Sequence, residues 1–271
     1  MRLHKRIGII GCGNMGGAIL AGLIQKKIVS PSRIMVYDKM TAKGKETARQ
    51  KKVRLGRSNR EVVDHSDIIL LAVKPQDLFD AASEFREAFS RRHLLITILA
   101  GTPIAKVRRA IGPKPKIVRA MPNLGAQVGE AITAITVVGA KHASPLQMAE
   151  IIFSGCGQTV RLSEKYLDLV TAISGSGPAY FFLLMELLAK EGKSRGLNET
   201  VARQLAVQTA VGAGVLARNS KSAPDELRKK VTSKGGTTEA ALRVFEKEGL
   251  PSMVSKAIGA AFKRGRELSR Q

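Results

Sequence analysis

Arg6-Ile7-Gly8-Ile9-Ile10-Gly11-Cys12-Gly13-Asn14-Met15-Gly16-Gly17-Ala18-Ile19-Leu20 decides how the rest of the chain is organised. Its first part is an Ile-rich run without a polar face, as a parallel strand buried on both sides requires. The run stops at Gly11-x-Gly13-x-x-Gly16, after which Ile19 and Leu23 recur at helical spacing. Glycines at these places let the backbone turn sharply and approach a pyrophosphate, whose charge the amides of a helix N-terminus receive. The pattern asks for an acid about twenty positions on, at the end of a second strand. Asp38 stands there, closing Arg33-Ile34-Met35-Val36-Tyr37. Together these features predict a dinucleotide held at the loop of Gly11, Gly13 and Gly16 and at Asp38.

Outward from this unit, strands and helices alternate. Thr41 to Lys52 reads as a basic surface helix, Val53 to Leu55 as a short strand, and Asn59 as the start of a short helix. Asp67 to Val73 is a buried strand that ends at Lys74-Pro75, where proline stops the ladder and turns the chain into a helix from Gln76 to Phe89. Leu94 to Leu99, Ile117 to Ala120, Ala131 to Val138 and Gln158 to Leu162 supply further strands. Helices over Ile104 to Ile111 and Ser144 to Ser154 lie between them, the second with Ser144 as its cap and Pro145 next. The expected fold is a Rossmann-type, doubly wound parallel α/β sheet over residues 1–162.

From Ser163 the pattern is helical only, and residues 163–271 are expected to form an all-α domain. Phe181 to Ala189 is very apolar, and a helix capped by Asn198 and running to about Ala217 is rich in Ala and Gly. About a hundred residues struggle to bury so much apolar helix internally. A homodimer made through residues 163–271 would bury it, with the active sites close to that interface.

Composition narrows the classes. The chain has 271 residues and a formal charge of +23, yet its basic residues are scattered and aromatics make up only 4%. Base-stacking platforms are therefore missing, and nucleic acid is not the expected partner. A solvated basic surface that draws in anionic ligands accounts for the charge. No apolar signal-peptide core precedes the first strand. The longest apolar run, Ala179 to Leu184 and past Glu186 to Ala189, is shorter than the roughly 17 residues a membrane span needs. The two cysteines, Cys12 and Cys156, have no metal-ligand spacing. A cytoplasmic protein without a bound metal is expected.

The second informative stretch is Val231-Thr232-Ser233-Lys234-Gly235-Gly236-Thr237-Thr238-Glu239-Ala240-Ala241-Leu242. Glycines followed by a helix start would present bare amides, hydroxyls and a positive dipole end, a combination that holds a small carboxylate without an arginine. An ordinary capped helix start after a Gly-Gly loop has the same pattern.

This stretch resembles the signature of Δ1-pyrroline-5-carboxylate reductases. The resemblance continues through the glycine loop, Ala72-Val73-Lys74-Pro75-Gln76, Ala120-Met121-Pro122-Asn123 and Ser174-Gly175-Ser176-Gly177-Pro178-Ala179-Tyr180, in family order from about residue 6 to residue 268. It implies hydride transfer from NADPH or NADH to the C=N carbon of a cyclic imine carboxylate, giving L-proline in the last step of proline biosynthesis. It assigns Thr238 to the imine nitrogen as the catalytic hydrogen-bonding group. Ser233, Gly236 and Thr237 would cradle the carboxylate, and Glu164 would stand at the substrate pocket. Gly11, Gly13, Asn14, Met15 and Gly16 would hold the cofactor phosphates, Asn59 would touch its adenosine half, and Ala72, Val73, Lys74 and Pro75 its ribose and nicotinamide side. The family also implies a homo-oligomer, with dimers that often assemble into larger rings.

Departures and rivals complete the reading. Leu124-Gly125 replaces the family's usual Thr-Pro, Lys230 stands where some relatives place asparagine, and Lys234 replaces a commoner proline. Asp38 suits a 2′-hydroxyl, whereas Lys39, Lys43 and Lys45 suit a 2′-phosphate, so the choice of cofactor stays open. A β-hydroxyacid dehydrogenase would need a lysine base soon after the Ser174-Gly175-Ser176-Gly177 motif, but none follows before Lys190. A non-catalytic dinucleotide-binding protein is the rival outside enzymes.

Overall fold

The computed structural model describes residues 2–137 and 143–270. The chain divides into two compact units, one running to Ser176 and taking in the residues from Ala261 onward, the other spanning Gly177–Ala260.

The first unit is built on an eight-stranded sheet of order β3-β2-β1-β4-β5-β6-β7-β8. The strands are β1 (Ile7–Ile10), β2 (Ile34–Tyr37), β3 (Arg54–Leu55), β4 (Ile68–Leu71), β5 (Leu94–Thr97), β6 (Lys116–Met121), β7 (Ala131–Val137) and β8 (Gly157–Arg161). The order 3-2-1-4-5-6 is that of a dinucleotide-binding sheet, with a crevice where the winding reverses around β1. Every residue of β1, β4 and β5 is buried, in keeping with their uninterrupted apolar runs.

The helices of this unit up to the β8 strand are α1 (Asn14–Gln25), α2 (Thr41–Lys51), α3 (Asn59–His65), α4 (Leu78–Phe85), α5 (Ile104–Ile111) and α6 (Ala143–Phe153). Two apolar clusters cover the two faces of the sheet. Ile19, Leu23 and Phe153 belong to one, and Val62, Phe85 and Val107 to the other.

Three expectations need correction. The sheet is not wholly parallel, because β6 and β7 run antiparallel. Their connection is a short turn around Leu124–Val128, too short for the helical crossover that parallel strands require. The single helix expected over Gln76 to Phe89 is instead α4 flanked by 3₁₀ turns at Pro75–Asp77 and Arg86–Ala88. Helix α6 begins at Ala143, so Ser144 and Pro145 lie in its first turn rather than at its cap. The final residue of the predicted 131–138 strand lies outside the described residues.

After β8 the first unit carries α7 (Leu167–Val170), which passes into a π turn at Thr171–Gly175. Ser176 N–H donates to the Thr171 carbonyl at 2.8 Å, and Pro178, which has no N–H to offer, follows after Gly177.

The second unit holds α8 (Gly177–Ser194), α9 (Glu199–Asn219), α10 (Pro224–Lys230), α11 (Thr237–Lys247) and most of α12 (Leu250–Arg270). Helices α8 and α9 form a tight hairpin, where a Cβ on Gly192 would stand 3.2 Å from that of Ala202. Asn198 caps α9 as predicted, its Oδ1 accepting from Thr200 N–H at 2.9 Å. Only Gly177, Ala202 and Ala206 of this unit are buried, while Phe181, Leu187, Leu205 and Val211 lie exposed.

The expectation that no segment is long enough for a membrane span also needs correction. Glu164–Ser194, a helical run of 31 residues, is long and apolar enough by length and composition. A helix tolerates a few spaced charges, so the apolar stretch reaches beyond the unbroken run seen in the sequence.

Candidate functional site

The glycine loop joins β1 to α1 and lies against the turn after β4. Gly11 has φ +100°, and a Cβ there would come within 2.5 Å of the Ala72 carbonyl oxygen. Gly16 is confined equally, since its Cβ would overlap the Gly11 carbonyl. Around Gly13, by contrast, nothing lies within 4 Å of a Cβ, and its residue position is the N-cap of α1 without any side-chain cap. Two glycines thus fold the loop, and the third leaves room over a helix N-terminus whose amides await an anion. Such a cradle fits a dinucleotide pyrophosphate, with Asn14 and Met15 in the first turn.

The adjoining crevice has a volume of about 300 Å³ and is lined by Gly13, Asp38, Lys39, Asn59, Ala72, Val73 and Lys74, among others. Asp38 Oδ2 accepts from Cys12 N–H and Oδ1 from Met40 N–H, each at 2.8 Å. The carboxylate that sequence assigns to the ribose also fastens the glycine loop to the end of β2. Lys39 Nζ reaches Asp77 Oδ1 at 2.9 Å, which raises the lysine above its ordinary value. Asn59 is buried and its amide donates to Glu84 Oε2 at 2.9 Å. Burial first, and then the Asp38 carboxylate, push the Cys12 thiol up to about 11, so it is no nucleophile at neutral pH.

The charged residues lining the crevice are Lys39, Lys43 and Lys74 against Asp38, Asp77, Asp80 and Glu84. Three positive charges against four negative ones leave it acidic on balance, in a chain that carries +23 overall.

Two further motifs meet elsewhere in this unit. A Cβ on Gly175 would press on Met121 Cε at 2.7 Å, so the Met121-Pro122-Asn123 turn packs on the π turn. Beside them Arg119, 4% exposed at its side chain, pairs with Glu164 Oε1 and Asp168 Oδ1, each at 3.3 Å. Glu164 Oε1 also accepts from Ile104 N–H at the start of α5, at 2.7 Å. Ser269 Oγ donates to Asp168 Oδ1 at 3.2 Å, which ties the end of α12 to the same cluster. Glu164 therefore has a positioning job in the first unit. Gly125 explains the Leu124-Gly125 departure, because a Cβ there would run into the Glu130 carbonyl oxygen at 2.5 Å.

In the second unit, Ser233 to Thr238 turn the chain from α10 into α11. Gly235 takes φ +74°, and Gly236 N–H donates to the Ser233 carbonyl at 3.0 Å. Gly236 is the N-cap of α11 and no side chain caps the helix. Glu239 instead turns back to accept from Gly235 N–H at 2.7 Å. The amides of Thr237 and Thr238 and the hydroxyls of Ser233, Thr237 and Thr238 are thus gathered at one positive helix end. Lys230 is turned to Ser222, donating to its Oγ at 2.8 Å.

The sequence did not single out Asp77, Glu84, Arg119 or Asp168. Arg119 carried a signal, since an arginine inside the apolar strand Ile117-Val118-Arg119-Ala120 demands buried anionic partners. For Asp77 and Glu84 the partners lie 38 and 25 residues away and leave no local pattern.

Sheet order, loop and crevice define a dinucleotide-binding protein of the Rossmann type. Comparison with known proteins is more specific. Residues 164–268 match the family described as pyrroline-5-carboxylate reductase dimerisation, and residues 6–101 match the coenzyme F420-dependent NADP oxidoreductase family. The pyrroline-5-carboxylate reductase of Synechocystis is 39% identical over 98% of this chain and 99% of its own length. That of Pseudomonas aeruginosa is 35% identical over 98% and 97%. Among solved structures, the enzyme of Coxiella burnetii superposes with a TM-score of 0.92 at 32% identity, over 99% of this chain and all of that one. The NADP-bound enzyme of Plasmodium falciparum does so with a TM-score of 0.88 at 28% identity and the same coverage. The chain belongs to the pyrroline-5-carboxylate reductase family, as its motifs led one to expect.

Proposed function

We propose that this protein reduces the C=N bond of 1-pyrroline-5-carboxylate to give L-proline. The observation that carries this reading is the loop Ser233–Thr238, which combines the family signature with a bare helix N-terminus. Ser233, Gly236 and Thr237 hold the substrate carboxylate through hydroxyl and amide groups. Thr238 bonds the imine nitrogen and keeps it oriented as charge changes there, so its hydroxyl is the catalytic group. NADH or NADPH supplies the hydride when bound. Gly11, Gly13, Asn14, Met15 and Gly16 hold its phosphates, Asp38, Lys39 and Asn59 its adenosine half, and Ala72, Val73, Lys74 and Pro75 its ribose and nicotinamide side. Glu164 supports the substrate pocket by fixing Arg119 and the start of α5.

The working form is a homodimer through the helical region 163–271. Unit Gly177–Ala260 buries three small residues and leaves its large apolar ones outward, which a second copy would cover. Light scattering separates such a dimer from a larger ring of dimers. Glu164 and Asp168 on buried Arg119 favour this reading of the Glu164–Ser194 run over a membrane span. Two free, buried cysteines support a reducing compartment, the cytoplasm.

The test follows loss of reduced-nicotinamide absorbance with the imine, NADH and NADPH side by side. Turnover with either is expected. No turnover with both, from folded oligomeric protein, overturns the assignment.

A further inference from the structure

Lys39 follows β2 and Asp77 follows β4, the two strands that flank β1. Their 2.9 Å ion pair therefore ties together the two sides of the crevice that opens at the glycine loop. In a dinucleotide site of this order, the acid closing β2 and its neighbours meet the ribose 2′ position. A 2′-phosphate needs a cation there. The ammonium nearest to Asp38 in sequence is already bound to Asp77, and Asp80 and Glu84 line the same crevice. Asp38 adds a fourth carboxylate, held in place by the amides of Cys12 and Met40. A phosphate carrying about two negative charges would enter a lining that is acidic on balance, whereas a hydroxyl would not be repelled.

We propose that Asp77 is a specificity-determining residue, which withholds Lys39 from the 2′ position and makes NADH the preferred cofactor. This rests on the dinucleotide reading of the crevice and is independent of the imine substrate. Asp77→Asn keeps the shape and a hydrogen-bonding group but removes the charge, so Lys39 turns to an incoming 2′-phosphate. Asp80→Asn removes a neighbouring charge that is not bonded to Lys39 and isolates pairing from the general field.

The measurement is direct cofactor binding, by nicotinamide fluorescence titration without substrate, on the full oligomeric chain. The native protein is expected to bind NADH more tightly than NADPH. Asp77→Asn shifts the affinity ratio toward NADPH by roughly tenfold, and Asp80→Asn by about twofold or less. Adding Lys39→Ala to Asp77→Asn abolishes the gain, a coupling that a merely structural role for Asp77 would not produce. Thermal melts confirm that each variant is folded, with Asp77→Ser as a second neutral replacement. A native preference for NADPH, an unchanged ratio in both Asp77 variants, or an equal shift in Asp80→Asn overturns the inference. Binding of neither cofactor overturns the dinucleotide reading beneath it.

Discussion

The two units solve the burial problem in opposite ways. The first closes on itself: β1, β4 and β5 are wholly buried, and both faces of the sheet are covered by helices of the same chain. The second has longer helices, α8 of 18 residues and α9 of 21, yet buries only Gly177, Ala202 and Ala206. The difference teaches that a helix hairpin of Ala and Gly can pack tightly along one seam and still leave most of its apolar surface without a partner. The first unit completes its own core, whereas the second leaves apolar faces that the proposed homodimer would cover. Each loop inherits this character, since Gly11 and Gly16 are walled in by backbone whereas Ser233, Gly235 and Thr237 lie exposed.

The strongest way to break this contrast is a charge on the outward face of α8. Leu187→Asp removes about 1.5–3 kcal/mol of apolar burial per chain, doubled across a two-fold interface. The dissociation constant of the oligomer should rise by at least about a hundredfold, read by light scattering as a fall toward the 29.1 kDa chain mass. Leu55→Asp on the exposed strand β3 is the control and should leave the mass unchanged. A mass unaltered by Leu187→Asp would refute the dependence of the second unit on a partner.

How much of this was legible in the chain follows the same division. β1, the glycine loop and Asp38 could be read from the residues themselves, because periodicity and glycine placement are local and the first unit completes its own core. The antiparallel β6–β7 junction was hidden, since it is set by the reach of a short turn rather than by the strands' composition. The Ser233–Thr238 loop gave only an ambiguous helix start, and its chemistry came from family resemblance. Glu164 could be read as a pocket residue only through the resemblance, and its pairing with Arg119, 45 residues earlier, could not be read at all. Pairings at such distances have no signature in a single sequence.

Glycine substitutions sharpen the comparison within the first unit. Gly11→Ala forces a side chain into φ +100° and onto the Ala72 carbonyl, and should cost about 1–3 kcal/mol of stability as well as cofactor affinity. Gly13→Ala meets nothing within 4 Å and should leave the melting temperature within experimental error while weakening dinucleotide binding. Equal melting shifts in the two variants would dismiss the division of labour drawn between these glycines. In the second unit, Thr238→Val should lower kcat by roughly 10–100-fold with cofactor affinity unchanged, as loss of a hydrogen bond to a charged group predicts. If it instead weakens cofactor binding alone, the hydroxyl does not serve the imine.

Acid should separate the units most gently, because no histidine lies in residues 177–260. In the first unit His93 is 1% exposed, accepts from Ser90 N–H through Nδ1 at 2.9 Å and packs edge-on to Phe89. Burial foremost, and then Arg92, hold its pKa below the ordinary 6.5. A group whose folded pKa is depressed binds more protons when unfolded, so its contribution is complete above about pH 6.5 and is lost as pH falls through the folded value. Protonation would also take away the acceptor of Ser90 N–H. Melting of the first unit should therefore fall by a few degrees between pH 7 and pH 5, and His93→Gln should flatten that slope while lowering stability at pH 7. His65, also depressed by burial and by Arg54, would leave a smaller residual slope. An unchanged slope in His93→Gln would place the acid sensitivity elsewhere, and a mass that falls with pH before the melt moves would place it at the interface.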